Sequence, residues 1–230
     1  TNFFNKINEK IDKELKFNNE KKNIIIKNEK KLKFGILNLN NGNLFSITNF
    51  LKNNNFEMQL SKNQNDLMKS DILIISGDGN SNHCINEINN AKLGDVIKFF
   101  FEKKILIGIC CGMQILFEKT YEDGIQNGLG LFNGEIRKIA NSSIKLPNLG
   151  WREVYNNKKD VLGIDNSKFY FMHSFTVKNF NDNECLYFSE YKKNKIPSIF
   201  KKNNSYAFQF HPEKSGNNGL SLLKKIIEDI

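Results

Sequence analysis

Proline is almost missing from this chain, with three residues in 230; alanine is scarce, and there are only three histidines and four cysteines. Each shortage narrows the possibilities. The cysteines, at positions 84, 110, 111 and 185, include no C-x-x-C pair and no spacing of a disulfide framework, so a reducing compartment, the cytoplasm, is the expected setting. No apolar run approaches the roughly 20 residues that a membrane helix needs, because "DILIIS" and "KKILIGICCGM" are short and bounded by charge. No signal peptide precedes the first lysine-rich stretch, and Thr1 in place of an initiator methionine points to sequence missing or removed upstream. A metal centre is not expected, since adjacent Cys110 and Cys111 would diverge from a turn and no other ligand pair is suitably spaced.

What is present is a globular composition: 39% hydrophobic residues, 20 of them Phe, in 26.7 kDa. That length suits one large domain or two small ones, and no repeat or break in composition forces two. The net charge of +9 is concentrated at one end, because residues 1–33 hold ten Lys against five acidic groups. That segment alone supplies +5, and the remaining residues supply only +4 as scattered, solvated lysines. Neither a nucleic-acid surface nor a membrane partner is expected. Residues 1–33 read as an appended Lys/Asn-rich segment, weakly helical around Ile7, Ile11 and Leu15, with a short strand at Ile24–Ile26.

From Phe34 the pattern becomes that of an α/β sheet. "FGILNL" (34–39), "DILIIS" (71–76) and "KILIGIC" (104–110) read as strands, the last two fit for a sheet covered on both faces. A helix follows the first strand, with Leu44, Ile47 and Leu51 on one face. A helical stretch with Ile85, Ile88, Val96 and Phe99 buried separates the other two. The second half alternates instead: "GEIRKI" (134–139), "KFYFMHSFTV" (168–177), "ECLYFS" (184–189) and "SYAFQFH" (205–211) read as strands of a mixed or antiparallel layer. A last amphipathic helix carries Leu220, Leu223, Ile227 and Ile230.

The chemistry concentrates in "GICCGMQ". Gly108-Ile109-Cys110-Cys111-Gly112 has the form G-x-C-x-G between a strand and a helical pattern at Met113, Leu116 and Phe117. With Ser in the centre this is the nucleophile elbow, a sharp turn whose glycines make room for close backbones. The alignment makes Cys110 the nucleophile, helped by a helix N-terminus; Cys111 offers its N–H to an oxyanion. A thiol nucleophile needs a base, and the candidates are His83, His173 and His211. His211 ends a strand in "HPEKSG", where Glu213 is placed to accept its other N–H and hold the tautomer. The alternative for both motifs stays open at this point: a small buried thiol and a surface His beside a turn Pro.

"GICCGMQ" and "FQFHPEKSG" together resemble the two signatures of class I glutamine amidotransferases. The chain is most similar to the glutaminase subunits of imidazole glycerol phosphate synthases, through "GNLFSI" (42–47), "GMQILFE" (112–118), "GLGLFNGEI" (128–136), "PNLGWREV" (147–154), "FYFMHSF" (169–175) and "HPEKSGNNGL" (211–220). These run in family order through residues 34–230. The resemblance implies a three-layer, flavodoxin-like α/β fold with a central, mostly parallel sheet and an additional antiparallel strand layer. It implies glutamine hydrolysis by a Cys110, His211, Glu213 triad, with no cofactor, in histidine biosynthesis. Gln114 and His173-Ser174-Phe175 match positions that hold glutamine, the latter largely through backbone. The oxyanion hole falls to Cys111 and the loop of Gly77, Asp78 and Gly79. Asn43, Trp151 and Lys214 match positions at the interface with the ammonia-receiving cyclase, a (β/α)₈ barrel, in a heterodimer.

The chain also departs from that pattern. The loop commonly P-G-V-G is Ser76-Gly77-Asp78-Gly79, and D-Y-G-x-G-N-L keeps only its second half at Asn38–Leu44. Cys111 stands for a common Leu, and Phe175 for a common Tyr. These differences leave two alternatives open: a glutaminase feeding a nucleotide-sugar or surface-polysaccharide amidotransferase, and a catalytically weak regulatory subunit of the same fold.

Overall fold

In "ILIISG" and "ILIGIC" successive side chains point to opposite sides of an extended backbone, so an unbroken apolar run needs cover on both faces. The computed structural model supplies it. It describes residues 32–39, 44–77, 79–139 and 144–228, all within one compact unit, residues 32–230. Of the expected appended segment 1–33, residues 1–31, with the helix around Ile7 and the strand at Ile24, lie outside the described residues, as do Asn43, Asp78 and Ile230, whereas Lys33 already belongs to the first strand.

The first half alternates strands and helices: β1 (Lys33–Leu37), α1 (Leu44–Asn53), β2 (Glu57–Ser61), α2 (Gln64–Met68), β3 (Ile72–Gly77), α3 (Ser81–Asn90), α4 (Gly94–Lys103), β4 (Ile105–Cys110) and the single turn α5 (Cys111–Gln114). The second half is strand-rich: β5 (Lys119–Thr120), β6 (Gln126–Asn127), β7 (Glu135–Lys138), β8 (Asn148–Asn156), β9 (Lys168–His173), β10 (Phe175–Lys178), β11 (Cys185–Tyr191), β12 (Asn194–Lys202) and β13 (Ser205–Phe208). A 3-10 turn at Pro212–Lys214 leads into α6 (Gly216–Glu228). No described helix is long and apolar enough to cross a membrane.

Nine strands form one sheet in the order β2-β1-β3-β4-β13-β12-β11-β8-β9. From β2 to β13 every pairing is parallel, and from β13 onward every pairing is antiparallel. The parallel part has the flavodoxin-like order, with β13 in fifth place. Its period of two divides the core. Ile72, Ile74, Ile107 and Ile109 pack with Ile47 and Leu51 of α1 and Leu222 and Ile226 of α6. Leu73, Ile75 and Leu106 face Ile85 and Ile88 of α3 and Ile97 and Phe100 of α4. On that second side lies the small sheet β10-β7-β5-β6, whose Ile136 and Val177 join the same cluster.

Several expectations need correcting. The helical stretch before β4 is two helices, broken where Lys92 takes a positive φ of 53°. Phe100 takes the core place expected of Phe99, which is only half-buried. In α6 the buried side is Leu222, Leu223 and Ile226, while Leu220 and Ile227 sit at its margin. The expected strand 168–177 is divided at Ser174: β9 edges the large sheet and β10 joins the small one. Hydrophobic alternation continues across that break, so periodicity alone cannot reveal the change of sheet.

Candidate active site

The parallel strands deliver Cys110 at the carboxyl end of β4, where open α/β sheets place their ligands. Its backbone lies at φ 53°, ψ −111°, a conformation costly for a side chain and typical of a nucleophile elbow. The flanking glycines are required by space. A Cβ on Gly112 would collide with the Ile75 carbonyl, and one on Gly108 would come within 2.9 Å of the Gly112 oxygen. Cys110 is 6% exposed, and its thiol donates to the Met172 carbonyl at 3.5 Å.

His211 reaches the same place from β13. Its N–H donates to the Tyr170 carbonyl of β9 at 2.9 Å, and its own carbonyl accepts from Ser215 Oγ at 2.6 Å. Its Nδ1 meets Glu213 Oε1 at 2.8 Å, with both side chains sealed from solvent. Burial disfavours the imidazolium, but attraction to and a hydrogen bond with Cys110, together with Glu213, outweigh it and raise the His211 pKa to about 10. His211 therefore holds a proton readily, as the base beside a thiol must. Of the other histidines, His83 is exposed on α3 and His173 is buried and engaged elsewhere.

The helix after the elbow is shorter than the sequence pattern implies. It ends at Gln114, so Met113 is on the helix while Leu116 and Phe117 fall in the turn that follows. One turn sums too few peptide dipoles to matter much. The stabilising charge at Cys110 comes from His211.

The two adjacent cysteines differ sharply. Cys111 Sγ lies 3.4 Å from the buried Cys84 Sγ, and a Cβ on Gly77 would come within 3.3 Å of the Cys84 sulfur and 3.6 Å of the Cys111 sulfur. The hydrogen bond to Cys84 and burial push the Cys111 thiol well above its usual pKa, so it is a poor nucleophile.

Above Cys110 opens a cavity of about 300 Å³ lined by Gly79, Cys110, Cys111, Gln114, Glu122, Met172, Ser174 and Phe175. That is room for a small polar metabolite. A second void, between α1 and α6, is wholly apolar and about 10 Å³. Among the expected binding residues, Gly79, Cys111, Gln114, Ser174 and Phe175 converge on the cavity. Gly77 pairs with Cys110 across β3 and β4 without lining it, His173 lies behind it, and Asp78 is outside the described residues.

A sequence profile of the family described as glutamine amidotransferase class-I matches residues 36–229. The chain is a class-I glutamine amidotransferase. It is 34% identical to the imidazole glycerol phosphate synthase subunit HisH of Leptospira interrogans, over 83% of this chain and 97% of that one. The HisH subunit of Lactococcus lactis is 36% identical over 86% of this chain and 99% of its own length. A crystal structure titled glutamine amidotransferase superposes with a TM-score of 0.66 at 19% identity, covering 84% of this chain and 98% of the other. The structure of PurLQS from Thermotoga maritima gives 0.66 at 18%, with 87% and 99% covered. These two likenesses concern the fold alone.

The amidotransferase cavity also holds a carboxylate that sequence reasoning passed over. Glu122 Oε2 accepts from the Ser81 N–H and the Ser81 hydroxyl, both at 2.8 Å, which fixes it at the start of α3 and the rim of the cavity. Its only sequence signal was an acidic residue eight positions after Gln114 in a loop with no motif. Of the expected interface residues, Trp151 is 49% exposed on β8, opposite Tyr170, whose backbone bridges to His211. Lys214 closes the 3-10 turn that begins after His211, and Asn43 is outside the described residues.

Proposed function

We propose that this amidotransferase is the glutaminase subunit of an imidazole glycerol phosphate synthase, hydrolysing glutamine through Cys110, His211 and Glu213. The observation that carries the reading is the buried His211–Glu213 pair behind Cys110, which itself lines an open cavity of about 300 Å³. The names of the relatives supply the pathway.

Cys110 Sγ gives its proton to His211 as it attacks the side-chain amide carbon of glutamine. The oxyanion that forms takes hydrogen bonds from the Cys111 N–H and from the loop ending at Gly79. Collapse of this intermediate breaks the C–N bond, and His211 gives its proton to the departing nitrogen, releasing ammonia and leaving a γ-glutamyl thioester. Water, deprotonated by His211, then cleaves the thioester to glutamate, and His211 returns the proton to the departing Cys110 sulfur. Glu213 keeps Nδ1 engaged throughout. Glu122 and the Gln114 side-chain oxygen are the acceptors for the substrate's ammonium group.

Ammonia released at the cavity passes to a (β/α)₈ cyclase that docks on the face carrying Trp151 and Lys214, in a cytoplasmic heterodimer. The Lys/Asn-rich segment appended to the amidotransferase domain is then residues 1–31, since Lys33 belongs to β1. Glutamine hydrolysis measured alone and with the cyclase and its nucleotide substrate tests the assignment. The expected result is weak turnover alone and strong stimulation by the complete mixture. Turnover unaffected by the cyclase would assign the ammonia to another acceptor.

A further inference from the structure

The cavity wall at Ser174–Phe175 is the point where the chain leaves one sheet for another, and nothing in β9 or β10 pairs across it. Besides the Ile139 N–H, which donates to the Ser174 carbonyl at 2.9 Å, and the pairing of Phe175 with Lys138, it is held by a directed chain of hydrogen bonds that begins at the surface. Arg152 Nε donates to Asn148 Oδ1 at 3.2 Å. Asn148 Nδ2 lies 3.0 Å from His173 Nε2, its cross-strand partner in the β8–β9 register. His173 Nδ1 lies 2.7 Å from the Phe175 carbonyl, which also accepts from Gln114 Nε2 at 3.2 Å.

The polarity of this chain follows from its first member. A guanidinium has only donors, so the asparagine oxygen must face Arg152 and its amide must donate inward. His173 Nε2 is then an acceptor, Nδ1 carries the proton, and the Phe175 carbonyl receives it. Burial, countered only in part by the Phe175 bond, lowers the His173 pKa to about 4 and keeps the ring neutral as the pattern requires. Asn148 is fully buried and His173 and Gln114 nearly so, which makes each bond costly to leave unmade. Arg152 is partly exposed beside Trp151, and its Nη atoms hold the Trp151 and Leu149 carbonyls.

We propose that Asn148 and His173 are positioning residues that hold the Phe175 carbonyl and the Gln114 side chain in their glutamine-binding arrangement, with Arg152 setting the direction of the chain from the β8 surface. The inference rests on the reading of the cavity as the glutamine site. Its consequence is that a disturbance at the exposed end of β8 alters glutamine affinity, with no contact to the substrate.

The test uses the full chain and a γ-diazo-ketone analogue of glutamine, with binding (KI) and covalent capture (kinact) determined separately. Arg152→Met, at a partly exposed position, should raise KI severalfold, and Asn148→Leu should raise it about tenfold, the size of one buried hydrogen bond lost. In both variants kinact should stay within about twofold, because neither residue touches the reacting atoms. Imidazole ¹⁵N shifts should show His173 protonated at Nδ1. Unchanged KI in Arg152→Met and in a folded Asn148→Leu, or a His173 proton on Nε2, would overturn the proposal. Failure of the unmodified chain to be labelled at Cys110 would instead contradict the reading of the site.

Discussion

The nine-stranded sheet joins two different structures at β13. On one side, β2, β1, β3 and β4 run parallel, and β3 and β4 are buried throughout, sandwiched between α1 and α6 on one face and α3 and α4 on the other. On the other side, β12, β11, β8 and β9 run antiparallel; β8 and β9 alternate buried and more exposed residues, and β8, next to the edge strand β9, presents Leu149 and Trp151. Cys110 belongs to the first structure, whereas His211 and the Ser174–Phe175 wall are held by hydrogen bonds to strands of the second. A strained backbone such as that at Cys110 needs close packing to hold it, since relaxation would otherwise recover the strain. A substrate clamp needs direction more than rigidity, and directed hydrogen bonds supply that. The active site therefore sits on the seam.

The largest expected effect breaks the rigid half. Gly112→Ala drives a methyl into the Ile75 backbone and should cost about 2–4 kcal/mol in urea unfolding, by the overpacking rule, with activity lost in parallel. Gly94→Ala, at a position with open space around it, should show no such loss. An intermediate effect lies in the hydrogen-bonded half. His173 has its pKa lowered from 6.5 to about 4, so between those values the unfolded chain binds a proton that the folded chain refuses. Stability should be fully present above pH 6.5 and fall as pH drops toward 4, and His173→Gln should flatten that slope in pH-dependent melts. The smallest effect is a gain. The β11–β12 turn places Lys192 and Lys193 at φ 50° and 65°, a left-handed pair that hairpins usually give to Asn-Gly. Lys193→Gly should raise stability by about 1 kcal/mol, by relief of the left-handed strain, without changing glutamine hydrolysis.

The two halves were also unequally legible. Apolar runs ended by glycine or charge located β3, β4 and the elbow to within a residue, because a strand buried on both faces has little freedom in composition. Cys110, His211 and Glu213 stood out because a thiol nucleophile needs partners and the chain has few histidines to offer. β12, with Pro197 and lysines at both ends, left no readable alternation, and β2 is a short, exposed edge. The break at Ser174 depends on which sheet each side pairs with, which is a tertiary outcome. Glu122 and Asn148 were silent for a related reason: their roles come from partners at Ser81, His173 and Arg152, brought together only by the fold.

The central claim is that adjacent cysteines have opposite fates: Cys110 reacts because His211 and Glu213 stand behind it, and Cys111 is sealed against Cys84. Glutamine hydrolysis and γ-diazo-ketone labelling of Cys110→Ala and Cys111→Leu, with the labelled residue located by peptide mass spectrometry, test it directly. The account predicts that the label falls on Cys110, that Cys110→Ala abolishes hydrolysis, and that Cys111→Leu retains it. Hydrolysis surviving in Cys110→Ala, or a label carried by Cys111, would contradict it.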